Sequence, residues 1–295
     1  MLWIYLAILA YFLDAVVFLI DKYLLSDTNG VPHPSAYAFF SAALSSFALL
    51  LLPFGVHIPS WLDLAISLTS GITFFFGIIF LYNAVKHIDV TEVMPAIGAV
   101  TAVCSFALSF WLLPGMPVTS HELLALSLLV GGTLLMSYFH LSSRVVLDIL
   151  FAGLLTALSF VLLKLMFNHT DFINGLFWSR LGFVAGALIV LMFPKSRAEI
   201  WGVLHHSSHN SKFVFLANKA LAAGVFIMIY YAIRIGNVVF VNAAQGIQYV
   251  FTLVLGAALV KAFPKLFEKH AEKFVSVRKL IATACIIAGI AFLFI

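Results

Sequence analysis

The chain has 295 residues, of which 63% are hydrophobic and only 9% are charged, and its mean hydropathy is +1.12. A soluble globular protein is about 45–50% apolar and about 25% charged. So few charged side chains cannot cover a surface that faces water, which excludes a soluble fold and indicates an integral membrane protein. The net charge of +4 does not indicate nucleic-acid binding, because membrane proteins retain Lys and Arg on their cytoplasmic side.

Apolar segments that could cross a bilayer follow one another along the whole chain. A spanning helix needs about 20 mainly apolar residues, and clusters such as "SDTNGVPHP" and "LPGMPVTSHE" mark the breaks. We therefore predict an all-α integral membrane protein with ten transmembrane helices and short connections. The first is predicted to be a retained helix rather than a cleaved signal peptide. The predicted spans are 2–24, 35–53, 62–84, 91–113, 121–140, 147–167, 173–193, 213–234, 238–261 and 278–295.

The first and fourth spans carry acidic residues at or near membrane depth. An ionisable side chain inside a span usually faces protein or a water-filled cavity. Asp14 lies midway along the first span; it is either a proton-titrating or cation-pairing carboxylate in a cavity, or a structural partner for a Lys or Arg. Glu92 begins the fourth span, either as a favourable first-turn acid or at the cavity mouth. Pro95 and Gly98, which follow it, are hinge candidates.

Two basic residues lie within the seventh and eighth spans. Arg180, in "GLFWSRLGFVAG", either binds an anionic group of a substrate or pairs with Asp14. Lys219, in "FLANKALAAG", is placed at a depth from which it could snorkel to the interface, or it faces the cavity.

The ninth span contains the stretch "VNAAQGIQYVF", with amide side chains at Asn242, Gln245 and Gln248. An interval of three residues places them in one stripe on a helix. They either line a polar cavity or join packed helices by hydrogen bonds. We favour the cavity.

The two halves of the chain, 1–145 and 146–295, resemble each other weakly. Matching "IDKYLL" with "LLKLMF" sets Lys22 against Lys164, and matching the third span with the eighth sets Lys86 against Arg234. A repeat with an odd number of spans must insert upside down relative to its twin, an arrangement common in secondary transporters. The sequence therefore predicts two inverted five-helix repeats.

With its duplicated ten-span layout, the "Tyr-x-Ala-x-(Lys/Arg)" motif that ends the third and eighth spans and the Gly-rich fifth span, the chain resembles the EamA-type transporters of the drug/metabolite transporter superfamily. The resemblance covers essentially the whole chain. It implies that the fourth and ninth helices lie beside a central cavity.

Basic residues fall unevenly on the two sides of the predicted bundle. Twelve of the 16 Lys and Arg lie in the connections after spans 1, 3, 5, 7 and 9, which predicts that these connections are cytoplasmic and both termini are outside. The basic connection "KAFPKLFEKHAEKFVSVRK" is either an amphipathic helix on the lipid surface or a solvated connector. For "HHSSH" a solvated loop is favoured over a metal site.

These features favour a secondary transporter, most simply of the plasma membrane, that moves a small metabolite, amino-acid-like or drug-like solute by alternating access. Its partners would be the bilayer, the solute and a coupling proton or ion, with no cofactor, metal or nucleic acid. The chain has no Walker motif, "HExxH" or "GxSxG". A non-transporting assembly or sensor protein and, less well supported, an intramembrane enzyme are the alternatives.

Overall fold

The computed structural model describes residues 1–25, 33–88, 90–113, 119–137, 143–206, 209–262 and 277–294. In these ranges every regular element is a helix. A 3-10 helix, Ser45–Phe54, continues α2. The α-helices are α1 Leu2–Leu25, α2 Pro34–Leu44, α3 Trp61–His87, α4 Val90–Leu112, α5 Ser120–Met136, α6 Ser143–His169, α7 Phe172–Val190, α8 Pro194–His206, α9 His209–Ile235, α10 Val238–Ala244, α11 Gly246–Ala262 and α12 Val277–Phe292.

Eight segments of the described chain are long and apolar enough to cross a membrane, so the prediction of an all-α, multi-pass membrane protein is confirmed. The fifth and tenth predicted spans correspond to shorter helices, α5 with 17 residues and α12 with 16. These two helices pack against each other. Gly132 of α5 lies against Ile286, and Gly289 of α12 lies against Leu129, so the absence of side chains lets the two helices approach closely.

Two predicted spans are not continuous α-helices. In the second, the chain tightens into the 3-10 helix at Ser45, where the Ser46 hydroxyl donates to the Ala43 carbonyl at 2.6 Å and competes with the helical ladder. No residue of this 3-10 segment is buried, although the segment packs on one side against α7.

In the ninth predicted span, the helix breaks at Gln245. The Gln245 N–H donates to the Asn242 carbonyl at 3.2 Å instead of continuing the α ladder to Val241. The Val241 carbonyl that this leaves accepts the Tyr11 hydroxyl at 2.8 Å. The expectation of one uninterrupted amide stripe is therefore wrong.

The connections differ from the sequence expectations in one place that the structure describes. The polar segment after the seventh span forms α8, which the Ser35 hydroxyl joins by a hydrogen bond to Glu199. The "HHSSH" stretch is helical at His205, His206 and His209, not a loop at those positions. The basic segment 263–276 lies outside the described residues.

At the centre of the bundle, α3 packs against both α6 and α7, and α1 packs against α9. The α3–α7 seam depends on two glycines. A side chain at Gly71 would meet the backbone of Ser179, and one at Gly182 would meet the backbone of Leu68. Gly186 lies against Phe75 in the same seam, so the small residues of "GFVAG" let α7 approach α3 closely.

Two lysines cap helix ends at opposite ends of the bundle. The Lys22 Nζ donates to the carbonyls of Val85 and Ile88 at 2.6 and 3.2 Å, at the end of α3. The Lys164 Nζ donates to the carbonyls of Arg234 and Gly236 at 2.9 and 2.8 Å, at the end of α9. Each ammonium thus satisfies carbonyls that a helix end leaves unpaired.

Candidate functional site

A cavity of about 320 Å³ lies inside the bundle. Its walls come from α1, α3, α6, α7 and α9, from the end of α2 and the 3-10 segment, and from the helix break at Gln245. The lining is mostly aliphatic and aromatic, with four charged side chains: Asp14, Asp21, Arg180 and Lys219. An apolar pocket of this size with a few polar groups is typical of small-molecule sites.

Asp21 forms the most densely hydrogen-bonded group in the cavity. It is 2% exposed and accepts the Lys219 Nζ at 2.9 Å. The same carboxylate accepts the Tyr37 hydroxyl at 2.5 Å, the Tyr82 hydroxyl at 3.2 Å and the Asn218 amide at 2.6 Å. Four donors from three other helices therefore compensate one buried carboxylate, and the Lys219 charge is neutralised inside the bundle rather than snorkelling.

Asp14 lies on the same face of α1, seven residues before Asp21, which is about 10 Å along a helix. It is 6% exposed, and the Gln248 side chain faces its carboxylate. Among the described residues, no Lys or Arg lies within ion-pair distance of Asp14. The charged groups that act on it are Asp21 and Lys219.

Arg180 comes from the middle of α7 and is 8% exposed. Its guanidinium carbon lies 4.6 Å from the ring centre of Tyr230 and 4.8 Å from that of Phe226, with Phe183 and Phe74 at 5.8 and 5.9 Å. The Nη2 atom is buried and has no hydrogen-bond partner in the described chain. The alternative in which Arg180 pairs with Asp14 is not what the structure contains.

The three amides of the ninth predicted span separate at the helix break. Gln245 lines the cavity, and its amide donates to the Gln248 side-chain oxygen at 3.3 Å. Asn242 points elsewhere and donates to the Ser105 hydroxyl of α4 at 2.6 Å. The break therefore directs one amide to the cavity, one to Asp14 and one to helix packing.

The remaining predicted residues lie in α4, away from the cavity lining. Glu92 is in the first turn of this helix. The helix continues through Pro95 and Gly98, and the Tyr249 ring occupies the space that a side chain at Gly98 would need. A hinge role for these two residues stays a prediction.

Sequence reasoning missed Asp21, Tyr37, Tyr82 and Asn218. Asp21 lies beside Lys22 near the end of the first predicted span, so its position does not by itself mark it as buried. The spacing of seven residues from Asp14 was the available signal, since it places both carboxylates on one helix face. Tyr37, Tyr82 and Asn218 have no such signal, because only the tertiary fold brings them to Asp21.

No protein-family model and no curated protein sequence matches the chain. A solved structure described as "Crystal structure of protein" is similar over 99% of this chain and 95% of its own, with a TM-score of 0.66 and 16% sequence identity. Similarity at that level of identity concerns the fold alone. The similarity shows that another protein shares the overall helical fold of this chain.

Proposed function

We propose that this chain is a secondary transporter, built from two inverted five-helix repeats, that moves a small solute by alternating access around the central cavity. The observation that carries the proposal is the cavity itself. It is an apolar chamber between helices of both halves, and it contains buried charges and a broken helix, as expected for a transporter site near the bilayer midplane. The resemblance to EamA-type drug/metabolite transporters agrees with it.

The inverted repeat, with halves 1–145 and 146–295, is supported by the lysine caps. Lys22 and Lys164, matched in the sequence, each cap the third helix of their own half, at opposite ends of the bundle. The helix pairs α1–α9 and α6–α3 are also equivalent under this repeat. Under this proposal, α5 and α12 serve as the fifth and tenth spans.

The same repeat suggests how access alternates. The glycine-dependent seam between α3 and α7 is equivalent to a seam between α9 and the second span. Between α9 and the second span, however, the cavity separates the 3-10 segment from α9. The 3-10 segment packs on α7 instead. Exchange of these two arrangements would close the segment onto α9 and open α3 from α7, which reverses the side of access.

Orientation and coupling belong to the proposal as well. The distribution of Lys and Arg favours cytoplasmic connections after the odd-numbered spans, both termini outside, and insertion in the plasma membrane. Asp14 is the better candidate for a coupling proton carrier than Glu92, because Asp14 lines the cavity.

Thiol accessibility tests the alternation. Cys104 and Cys285 are first replaced by Ser, and a single Cys is then introduced at Ser45, which lines the cavity, or at Thr133, which is buried in α5. We expect a membrane-impermeant maleimide to label Ser45→Cys in both right-side-out and inside-out vesicles, and Thr133→Cys in neither. Labelling of Ser45→Cys from one side under every condition would contradict alternating access.

A further inference from the structure

Among the charged side chains of the cavity lining, Arg180 is the one whose neighbours in the described residues are aromatic rings rather than charged or hydrogen-bonding groups. Rings at 4.6–5.9 Å supply part of the solvation of a guanidinium, but they accept no directed hydrogen bond from its N–H groups. An arginine guanidinium is a cation in proteins, and a buried cation without an acceptor is costly. The arrangement therefore lacks an oxygen acceptor for Arg180.

The other charged side chains in the cavity limit the net charge of a ligand that could supply this oxygen acceptor. The ion pair at 2.9 Å between Lys219 and Asp21 is already neutral. Among the charged side chains that line the cavity, a single cation, Arg180, is therefore left for a ligand, which matches one negative charge. Since the charged groups that act on Asp14 are Asp21 and Lys219, the Arg180 charge is not compensated by Asp14.

The surroundings of Arg180 also limit the body of the ligand. Phe74, Phe183 and Phe226 line the cavity beside the guanidinium, and Phe160 continues the same wall by stacking on Phe74 with ring centres 5.5 Å apart. Flat or aliphatic groups gain most from such a surface. A cavity of about 320 Å³ accommodates a small organic molecule.

We propose that the cavity binds an amphipathic organic monoanion, a carboxylate on a flat or aliphatic apolar body, with its charge on Arg180 and its body against the phenyl rings. This inference rests on the proposed transport function for its biological meaning, but the binding site itself can be tested without transport. A guanidinium suits the planar carboxylate because it can donate two parallel hydrogen bonds.

The test is direct binding to the purified full chain in nanodiscs, measured by calorimetry against empty nanodiscs. The ligand set shares a phenyl body and varies the charge: phenylpropionate, phenylpropanol, phenylpropylamine, benzylmalonate and phenylalanine. We expect phenylpropionate to bind most tightly. Arg180→Gln should weaken phenylpropionate binding by about 10- to 100-fold, the range for a hydrogen bond to a charged group, and leave phenylpropanol binding within about 3-fold.

The ratio of the two affinities in one variant guards against misfolding, because a misfolded protein loses both ligands. Arg234→Gln is the matched control, since this arginine lies over Phe172 outside the cavity lining, and we expect it to leave the ratio unchanged. Binding of phenylpropionate that is insensitive to Arg180→Gln would overturn the proposal. So would tighter binding of phenylpropanol, phenylpropylamine, benzylmalonate or phenylalanine, or no binding by any member.

Flux measurements separate this inference from the transport function. Arg180-dependent binding of phenylpropionate without flux through proteoliposomes would support the anion site and count against transport. Flux of a neutral or cationic solute that survives Arg180→Gln would support transport and overturn the anion site.

Discussion

The buried ion pair between Lys219 and Asp21 allows a quantitative test of how this bundle tolerates charge. The Lys219 Nζ lies 2.9 and 3.2 Å from the two Asp21 oxygens, and the side chains are 8% and 3% exposed. Removing one partner of a buried pair costs about 3–5 kcal/mol. In Lys219→Met, Asp21 keeps three donors, so we expect the lower end, a loss of about 3 kcal/mol in the free energy of unfolding.

The assay is reversible unfolding of the purified protein in mixed micelles, followed by circular dichroism. The double variant Asp21→Asn with Lys219→Met leaves neither charge orphaned, so its cost should be lower than the sum of the single variants by at least about 1 kcal/mol. His169→Ala provides the control. It breaks the 2.7 Å contact with Asp63 in which His169 is 44% exposed, and should cost at most about 1 kcal/mol. If Lys219→Met costs no more than His169→Ala, or if the single costs simply add, the reasoning is refuted.

Three more predictions concern coupling, packing and capping. Asp14→Asn should abolish solute uptake driven by a pH gradient in proteoliposomes and leave exchange largely intact, because the amide cannot take up and release a proton; equal loss of both would remove Asp14 from coupling. Gly71→Ala should destabilise the protein by about 1–3 kcal/mol, because its methyl group would meet the Ser179 backbone, whereas Gly131→Ala, with no atom within 4 Å, should not; equal costs in micelle unfolding would contradict the close α3–α7 approach. Asp171→Ala should cost about 1 kcal/mol near neutral pH, because Asp171 caps α7 by accepting the Asn174 N–H at 3.0 Å. Burial alone would raise the pKa of Asp171, but hydrogen bonds from Asn174 outweigh it and hold this pKa below its ordinary value. This stabilisation is therefore fully present above the unfolded-state pKa of about 3.9 and disappears as pH falls through the lowered pKa, so an unfolding difference that persists in strong acid would contradict the capping role.

The membrane class and most helix positions could be read from the sequence because the cost of polar groups in lipid forces long apolar runs. The same cost made Asp14 and Arg180 stand out, and both line the cavity. The partners of these two charged side chains could not be predicted from the sequence. Sequence reasoning allowed Asp14 to pair with Arg180, whereas the fold pairs Lys219 with Asp21, because helix packing decides which of several charges meet.

The interruptions of the helices were equally hard to anticipate. Gln245 and Gly246 are compatible with a continuous helix. At the break, the Tyr11 hydroxyl of α1 donates to the Val241 carbonyl, a contact that only the tertiary fold brings about. The 3-10 segment after Ser45 has no buried residue, and a serine such as Ser46 is also compatible with a continuous helix. Both features border the cavity.

The central claim, transport through this cavity, is tested most directly by solute flux. A panel of labelled metabolites and amino acids, including small organic carboxylates, is presented to proteoliposomes with and without an imposed pH gradient, beside liposomes that contain no protein. We expect gradient-dependent accumulation of at least one solute, lost in Asp14→Asn. No flux of any solute across a broad panel, with folding and insertion verified, would contradict the transporter and favour an assembly or sensor protein.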